Sequence, residues 1–313
     1  MKRVLVTGAS GFIGRHIVPL LVQRGFEVHA LSRSSPSPVR GAGVQWHQAT
    51  LFDEVKFRDL LHLIRCSHLV HLAWYTTPPA YWEAPENTAW VDASMRVFRE
   101  FAKAGGSRIV AAGSCAEYNW TEGRCREDAT PLEPTSLYGR SKLALYRMLN
   151  ELVSSGTMSG AWARIFFPYG PGEHPSKLVS SLSTAMLKGE PAVCATPDHR
   201  RDFLYVGDAA SALTAVLASD LTGAINIGSG VASRIGDVAE TVARIVGRSE
   251  LLQYGTREPV PGEDRPVMAD VTKLRDRLRW MPHYSLEEGV GRTVDWVRQE
   301  LGSRAAPVAI RDA

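Results

Sequence analysis

A tyrosine and a lysine four positions apart are the residues of this chain best suited to chemistry. They are Tyr138 and Lys142, and Ser114 precedes them in the sequence. In a helix, positions i and i+4 share one face, so the ammonium of Lys142 would lie near the phenol. A nearby positive charge favours the phenolate of a tyrosine, whose free pKa is about 10. The spacing indicates proton transfer by Tyr138 with Ser114 holding a carbonyl oxygen; a plain amphipathic helix with a surface lysine is the alternative.

A glycine-rich turn near the N-terminus predicts a dinucleotide site. Gly8, Gly11 and Gly14 lie between a short apolar strand and a helical pattern, and a second strand follows at residues 27–31. Gly8 permits a tight turn, Gly11 admits a pyrophosphate and Gly14 lets the helix pack on the strand. A turn without a ligand is the alternative. The predicted cofactor contacts here are Gly8, Ser10, Gly11, Phe12, Ile13 and Gly14.

The end of the second strand bears on which dinucleotide binds. An NAD-preferring site usually places an Asp or Glu there for the ribose 2′-hydroxyl. This chain has Ser32 and Arg33 instead. A hydroxyl and a guanidinium suit a 2′-phosphate, so we expect NADP(H) to be favoured. NAD(H) stays open, with Arg33 as an ordinary loop residue.

Strands and helices alternate through the first half of the chain. Strands are predicted at residues 4–6, 27–31, 45–49, 69–73, 109–112 and 161–166, with helices at 57–64 and 87–104 between them. This alternation predicts an α/β fold, a Rossmann-type doubly wound parallel sheet with a smaller C-terminal α/β substrate-binding domain. We expect an NAD(P)-binding domain at 1–168, mainly a substrate-binding cap at 169–302, from which some elements return to the first half, and a disordered tail at 303–313.

Composition argues against several classes of partner. The 36 basic and 33 acidic side chains give a net charge of +3 without a long like-charged block, so we expect no nucleic-acid or membrane partner. The four cysteines show neither a C-x-x-C pair nor a zinc-binding spacing. We therefore expect no metal, and reduced thiols in a cytoplasmic protein.

Taken together, these features resemble the extended short-chain dehydrogenase/reductases, specifically the NAD-dependent epimerase/dehydratase family acting on nucleotide sugars. The resemblance covers roughly residues 2 to 302 and rests on the order of several short fragments. They are Thr7-Gly8-x-x-Gly11-x-x-Gly14, His71-Leu72-Ala73, Ser114, Tyr138-x-x-x-Lys142, Tyr169-Gly170-Pro171-Gly172, Arg201-Asp202-Phe203, Asn226-Ile227-Gly228 and Trp280-x-Pro282.

The resemblance implies a role for each member of the site. Tyr138 would be the acid/base at a sugar hydroxyl or ketone, Lys142 would bind the nicotinamide ribose, and Ser114 would orient the reacting oxygen. It also implies a homodimer. Further cofactor contacts are expected at Leu51, Leu72, Ala73 and Phe167. The expected substrate-binding residues are Trp74, Thr76, Cys115, Lys177, Leu178, Arg201 and Arg265.

Some of these assignments leave alternatives open. The aromatic loop 74–82 follows a strand end, where ligands bind, so Trp74 is either a substrate contact or buried packing. Arg201 would grip a diphosphate, and a structural salt bridge with Asp202 or Asp208 is the alternative. A second phosphate-binding arginine is expected at Arg265 or Arg257.

Departures from the family's sequence pattern reduce the number of reactions that we expect this chain to catalyse. Related 4,6-dehydratases carry Thr-Asp-Glu where this chain has Ser114-Cys115-Ala116, so the acid and base that eliminate water are missing. Glu117 lies one position too late to replace the glutamate of that run. Whether its side chain faces the substrate stays open at this point.

We therefore expect an NAD(P)-dependent oxidoreductase of a nucleotide sugar, and favour reduction of an NDP-4-keto-6-deoxyhexose with Tyr138 as proton donor. The alternatives are an NDP-sugar 4-epimerase with tightly bound NAD, a carbonyl reductase of a non-nucleotide substrate, and a non-catalytic NADP sensor.

Overall fold

A seven-stranded parallel sheet forms the centre of the molecule. The computed structural model describes residues 2–33, 43–154, 156, 158–255 and 265–305. The strands of the sheet are β1 (Arg3–Thr7), β2 (Glu27–Ser32), β3 (Val44–Gln48), β4 (His68–His71), β5 (Arg108–Ser114), β6 (Ser159–Ile165) and β7 (Gly223–Ile227). Their spatial order is β7-β6-β5-β4-β1-β2-β3. This order, which reverses beside β1, confirms the predicted doubly wound sheet.

Helices cover both faces of the sheet. They are α1 (Gly14–Gln23), α2 (Glu54–Ile64), α3 (Glu86–Lys103), α4 (Leu137–Ser154), α5 (Leu178–Lys188), α6 (Val206–Leu217), α7 (Ile235–Val246), α8 (Thr272–Leu278) and α9 (Leu286–Ala305). The apolar sides of α1, α6 and α8 pack on one face. Those of α2, α3 and α4 pack on the other. The strands are buried on both sides, which explains why they read as continuous apolar runs.

A smaller apolar cluster lies in the C-terminal part of the chain. It joins α5, α7 and α9 with the short parallel strands Ala192–Cys194 and Leu252–Tyr254. β7 and α6 come from the same part of the chain but belong to the large sheet and its cover. The domain boundary at residue 168 stays a prediction. Within the ranges described, no helix combines the length and apolar content needed to cross a membrane.

One predicted bound differs from the structure. α9 continues to Ala305, so the tail predicted to begin at residue 303 is helical over residues 303–305, and residues 306–313 lie outside the described part.

Asp208, in the first turn of α6, binds the segment that leads into α9. Its carboxylate accepts hydrogen bonds from the backbone N–H groups of His283 and Tyr284, at 3.0 and 3.1 Å. These bonds hold the start of α9 against α6.

A buried ion pair joins the end of β5 to β6. Glu117 closes the short 3-10 turn after β5, and its Oε2 accepts from Nε of Arg164 at 2.8 Å. Its Oε1 accepts from the backbone N–H of Ser114 at 2.8 Å, and the indole N–H of Trp162 donates to the same carboxylate. Both charged side chains are 0% exposed. The idea that Glu117 faces the substrate is therefore wrong, because its carboxylate is turned inward to satisfy these donors.

Breaking this pair from the arginine side should destabilise the protein strongly. Arg164→Met would leave a buried carboxylate without its counter-charge, which costs about 3–5 kcal/mol in comparable sites. Urea unfolding followed by circular dichroism measures the loss. Arg244→Met is the matched control because Arg244 pairs with Glu287 at 2.9 Å on the surface, and it should change stability little. Similar losses in the two variants would contradict the prediction.

Candidate active site

The structure brings Ser114, Tyr138 and Lys142 together at the carboxyl edge of the sheet. Ser114 ends β5, and the other two lie in the first turns of α4. Helix α4 lies close to the turn after β5 because Gly139 has no side chain: a Cβ there would lie 2.3 Å from the carbonyl oxygen of Ala116. This close backbone contact sets the position of Tyr138 relative to Ser114.

The pKa of Tyr138 reflects its burial and the nearby Ser114 side chain. Burial raises this pKa above the ordinary tyrosine value, and Ser114, whose side chain favours the phenolate, offsets only part of that rise. The lowering of this pKa by Lys142 stays a prediction. Burial has the largest effect on Tyr138, because apolar surroundings disfavour the phenolate.

Lys142 is almost fully buried, at 3% exposed. Its Nζ donates to the carbonyl oxygen of Ala112 at 2.8 Å and lies 5.9 Å from the ring centroid of Tyr138. Burial lowers the pKa of Lys142 to about 7, while the negative charge of Glu117 acts in the opposite direction. The lysine thus changes its charge near neutral pH, next to a phenol that stays protonated there.

Aromatic side chains enclose the phenol of Tyr138. Its ring makes edge contacts with Trp74, Tyr81 and Trp82, at centroid distances of 6.4, 5.0 and 5.8 Å. Trp74 is 9% exposed, which agrees with buried packing. Thr76, also expected to bind substrate, is exposed in the loop between them. Tyr81 was missed from the sequence because no spacing rule links it to α4.

The glycine turn has the geometry that a dinucleotide needs. Gly8 has φ +68°, and a Cβ there would lie 2.8 Å from the backbone nitrogen of Ala73. A Cβ on Gly14 would lie 2.0 Å from the carbonyl oxygen of Gly8. Phe12 and Ile13 precede α1, and the first N–H groups of a helix have no intrahelical acceptor. The turn, with Ser10, Gly11 and Leu72 beside it, fits a pyrophosphate.

The residues predicted to bind the ribose end of the cofactor lie at the end of β2. The Ser32 hydroxyl donates to the hydroxyl of Ser10 at 3.4 Å, so the strand end is tied to the glycine turn. Arg33 follows as an exposed residue, and its carbonyl oxygen accepts from the Gln48 side chain. Leu51 is buried in the apolar cluster on the α2 side, so its part in cofactor binding stays a prediction.

Arg201 lies between aromatic rings on the other side of the site. Its guanidinium is 5.7 Å from the ring of Trp120 and 5.8 Å from that of Phe167, and its Nη1 donates to the carbonyl oxygens of Arg200 and Arg265. The Arg265 side chain reaches the carbonyl oxygen of Thr121. Arg257 lies outside the described residues.

The proposed salt-bridge partners of Arg201 are engaged elsewhere. Asp202 accepts from the backbone N–H groups of Ser229, Gly230 and Ala269, at 2.6, 3.0 and 2.9 Å. Asp208 binds the segment before α9, as described above. Both carboxylates are therefore held by backbone N–H groups of other segments, and the role of Arg201 stays a prediction.

The remaining predicted substrate residues differ in their surroundings. Lys177 is exposed, with its ammonium 5.4 Å from the ring centroid of Tyr81, and Leu178 begins α5. Cys115 is 5% exposed and packs beside Tyr118, and burial raises the pKa of its thiol. The roles of all these residues stay predictions. In the described part of the chain, no group of three or more His, Cys, Asp or Glu could hold a metal ion.

Comparisons with known proteins agree with this geometry. A family model described as "NAD dependent epimerase/dehydratase family" matches residues 4–228. The structure of MoeE5 in complex with UDP-glucuronic acid and NAD is 32% identical, with a TM-score of 0.82 over 95% of this chain and 99% of that one. The UDP-glucose 4-epimerase of Thermus thermophilus in complex with NAD is 28% identical, with a TM-score of 0.83 over 95% and 99%. The dTDP-6-deoxy-L-talose 4-dehydrogenase (NAD(P)(+)) of Kitasatospora kifunensis is 28% identical over 98% of this chain and 97% of its own.

A side chain at Gly14 should disrupt the dinucleotide site. In Gly14→Ala the added Cβ meets the carbonyl oxygen of Gly8, so the turn must shift away from the geometry that holds a pyrophosphate. We expect the Kd for NAD(P)H, measured by fluorescence titration, to rise at least about tenfold. Gly302→Ala in α9 has nothing within 4 Å of the added Cβ and is the control. An unchanged Kd in Gly14→Ala would contradict the assignment.

Proposed function

The chain belongs to the NAD-dependent epimerase/dehydratase family, and we propose that it transfers a hydride at a sugar carbon of a nucleotide sugar, with Tyr138 as the acid/base. The observation that carries this proposal is the convergence of Ser114, Tyr138 and Lys142 at the edge where the glycine turn opens. The similar protein MoeE5 has been solved in complex with NAD and either UDP-glucuronic acid or UDP-glucose. Arg201, between its two rings, is the side chain best placed for the diphosphate.

Each residue has one task in this reaction. The bound nicotinamide supplies or accepts the hydride. Ser114 holds the reacting oxygen, Tyr138 gives a proton to it or takes one from it, and Lys142 holds the nicotinamide ribose. The turn at Gly8 and Gly14 receives the pyrophosphate. The phenol of Tyr138 is protonated at neutral pH, as a tyrosine ordinarily is, and burial raises its pKa further, so it can donate a proton to a ketone.

Water elimination is disfavoured by the surroundings of Ser114. The following residue, Cys115, has a thiol whose pKa is raised by burial, and Ala116 has no proton to move. The nearest carboxylate, Glu117, is held inside the protein by Arg164 and Trp162. This arrangement supports a reaction with one proton donor and no second acid.

Among such reactions we favour the reduction of an NDP-4-keto-6-deoxyhexose by NADPH. Ser32 and Arg33 stand where an acidic residue would favour NAD. A relative matching nearly the full chain is a dTDP-sugar 4-dehydrogenase that takes NAD(P)+. The second candidate is a 4-epimerase that keeps its NAD, favoured by the likeness to the Thermus thermophilus epimerase and to MoeE5, both solved with NAD. The homodimer and the cytoplasmic location stay predictions.

Removing the phenol hydroxyl should stop turnover. Tyr138→Phe keeps the ring in its aromatic enclosure but cannot donate a proton, so kcat should fall about 10²–10⁴-fold while the Kd for the cofactor stays within twofold or so. Turnover is followed as oxidation of NADPH with an NDP-4-keto-6-deoxyhexose. Tyr146→Phe, on the same helix against Trp162, is the control.

Two outcomes of that assay would change the proposal. A Tyr138→Phe variant with normal turnover would remove Tyr138 from the mechanism. Interconversion of two NDP-hexose epimers by the wild-type protein without added cofactor would favour the epimerase.

Cofactor choice should depend on Arg33. Arg33 follows the end of β2, where an acidic residue would favour NAD, and a guanidinium there suits a 2′-phosphate. Arg33→Ala should therefore lower kcat/KM with NADPH by about tenfold and leave that with NADH nearly unchanged. Steady-state kinetics with both cofactors measures the ratio. Arg24→Ala, in the loop after α1, is the control for loss of one positive charge. A wild-type preference for NADH would contradict this prediction while leaving the hydride transfer itself intact.

A further inference from the structure

The indole of Trp74 lies directly against the ammonium of Lys142. The distance from Nζ to the ring centroid is 3.7 Å, shorter than the 5.9 Å that separates the same Nζ from the ring of Tyr138. A cation over the face of an indole is attracted by the negative potential of the ring. With the carbonyl oxygen of Ala112 at 2.8 Å, the indole fixes the end of a side chain that is otherwise long and flexible.

The indole is itself held by a buried amide. Its Nε1 donates to Oδ1 of Asn87 at 2.8 Å, and Nδ2 of Asn87 donates to the carbonyl oxygens of Tyr81 and Ala84, at 2.8 and 2.9 Å. Asn87 is 0% exposed at the start of α3. The amide oxygen and the amide nitrogen of Asn87 are therefore both engaged. Asn87, in α3, fixes the orientation of the Trp74 indole, whose ring face lies against Lys142 in α4.

We propose that Trp74 is a positioning residue for the reaction, because its ring holds the ammonium of Lys142 in place beside Tyr138, and that Asn87 holds the ring. This inference rests on the proposed hydride transfer at Tyr138. It replaces the expected substrate contact of Trp74: the residue is 9% exposed, and its ring face and its N–H are both occupied by protein groups.

The other groups facing Lys142 do not duplicate this contact. Glu117 favours the ammonium but is bound to Arg164. His71, at the end of β4, is hydrogen-bonded to Thr7 and Ser94, and burial lowers its pKa to about 3, so it is neutral. The phenol of Tyr138 is neutral as well, since burial raises its pKa. Within the described residues, two uncharged groups in direct contact therefore favour the charged lysine, namely the carbonyl oxygen of Ala112 and the indole of Trp74, and of these only the indole is a side chain.

The test measures the lysine directly. The chain has seven lysines, so an NMR titration of protein labelled with ¹³C at the lysine Cε resolves them, and Lys142→Arg assigns the signal. In Trp74→Leu, an apolar side chain still excludes water but the attractive ring face is lost. We expect the pKa of Lys142 to fall by about 0.5–1 unit, and kcat to fall at least about tenfold with the KM of the sugar little changed.

Conservative and control variants separate positioning from packing. Trp74→Phe keeps a ring face and should restore most of the lysine pKa and of kcat. Trp280→Leu removes an equally buried indole elsewhere, 8% exposed and bonded to Ser211, and should leave Lys142 unchanged. Trp74→Met removes the ring with an unbranched side chain and takes the place of the leucine variant if that one does not fold.

An unchanged pKa of Lys142 in Trp74→Leu, or a rise toward the ordinary lysine value, would overturn the inference, because the indole would then act only as an apolar wall. The titration needs no substrate. A protein that turns over no nucleotide sugar would contradict the proposed function, and the lysine titration would still decide the role of Trp74.

Discussion

The buried pair of Glu117 and Arg164 is the constraint on which the site depends. Two opposite charges removed from water are tolerated only when their hydrogen-bonding groups are satisfied nearby. Here the carboxylate receives the guanidinium, the indole N–H of Trp162 and the backbone N–H of Ser114. These donors come from β6 and from the end of β5, so the pair fixes the point where β5 stops. Ser114 is presented to the site because Glu117, three residues later, is drawn inward.

Burial has opposite effects on the two central groups of the site. It raises the pKa of Tyr138 and lowers that of Lys142, since in each case the charged form is disfavoured. Near neutral pH the pair therefore carries at most one charge, that of the lysine. This low charge is compatible with the uncharged ketone of the proposed reaction.

The sequence predicted those features that depend on interactions between residues close together along the chain. The i, i+4 spacing of Tyr138 and Lys142, the glycine turn and the alternation of apolar strands with helices each depend on neighbours along the chain, and the fold they predicted is confirmed by the parallel sheet. The orientation of Glu117 depends on Arg164, a strand away. The burial that shifts the pKa of Tyr138 depends on a loop far earlier in the chain, whose ring at Tyr81 no spacing rule could connect to α4. These contacts between residues far apart in the sequence could not be predicted from the sequence.

Two sides of the site differ in what forms them: main chain at Gly139, and side chains of a loop on the opposite side. At Gly139 the backbone of α4 meets the carbonyl oxygen of Ala116 with no side chain between them, and even a methyl group would come within 2.3 Å of that oxygen. The closest approach of α4 to the turn after Ser114 is thus limited by main-chain atoms, which substitution of a neighbouring side chain does not remove. The opposite wall is built of side chains from a loop, Tyr81 and Trp82 among them. A substitution in that loop would therefore change what surrounds the ring of Tyr138, whereas it would leave the backbone contact between α4 and Ala116 in place.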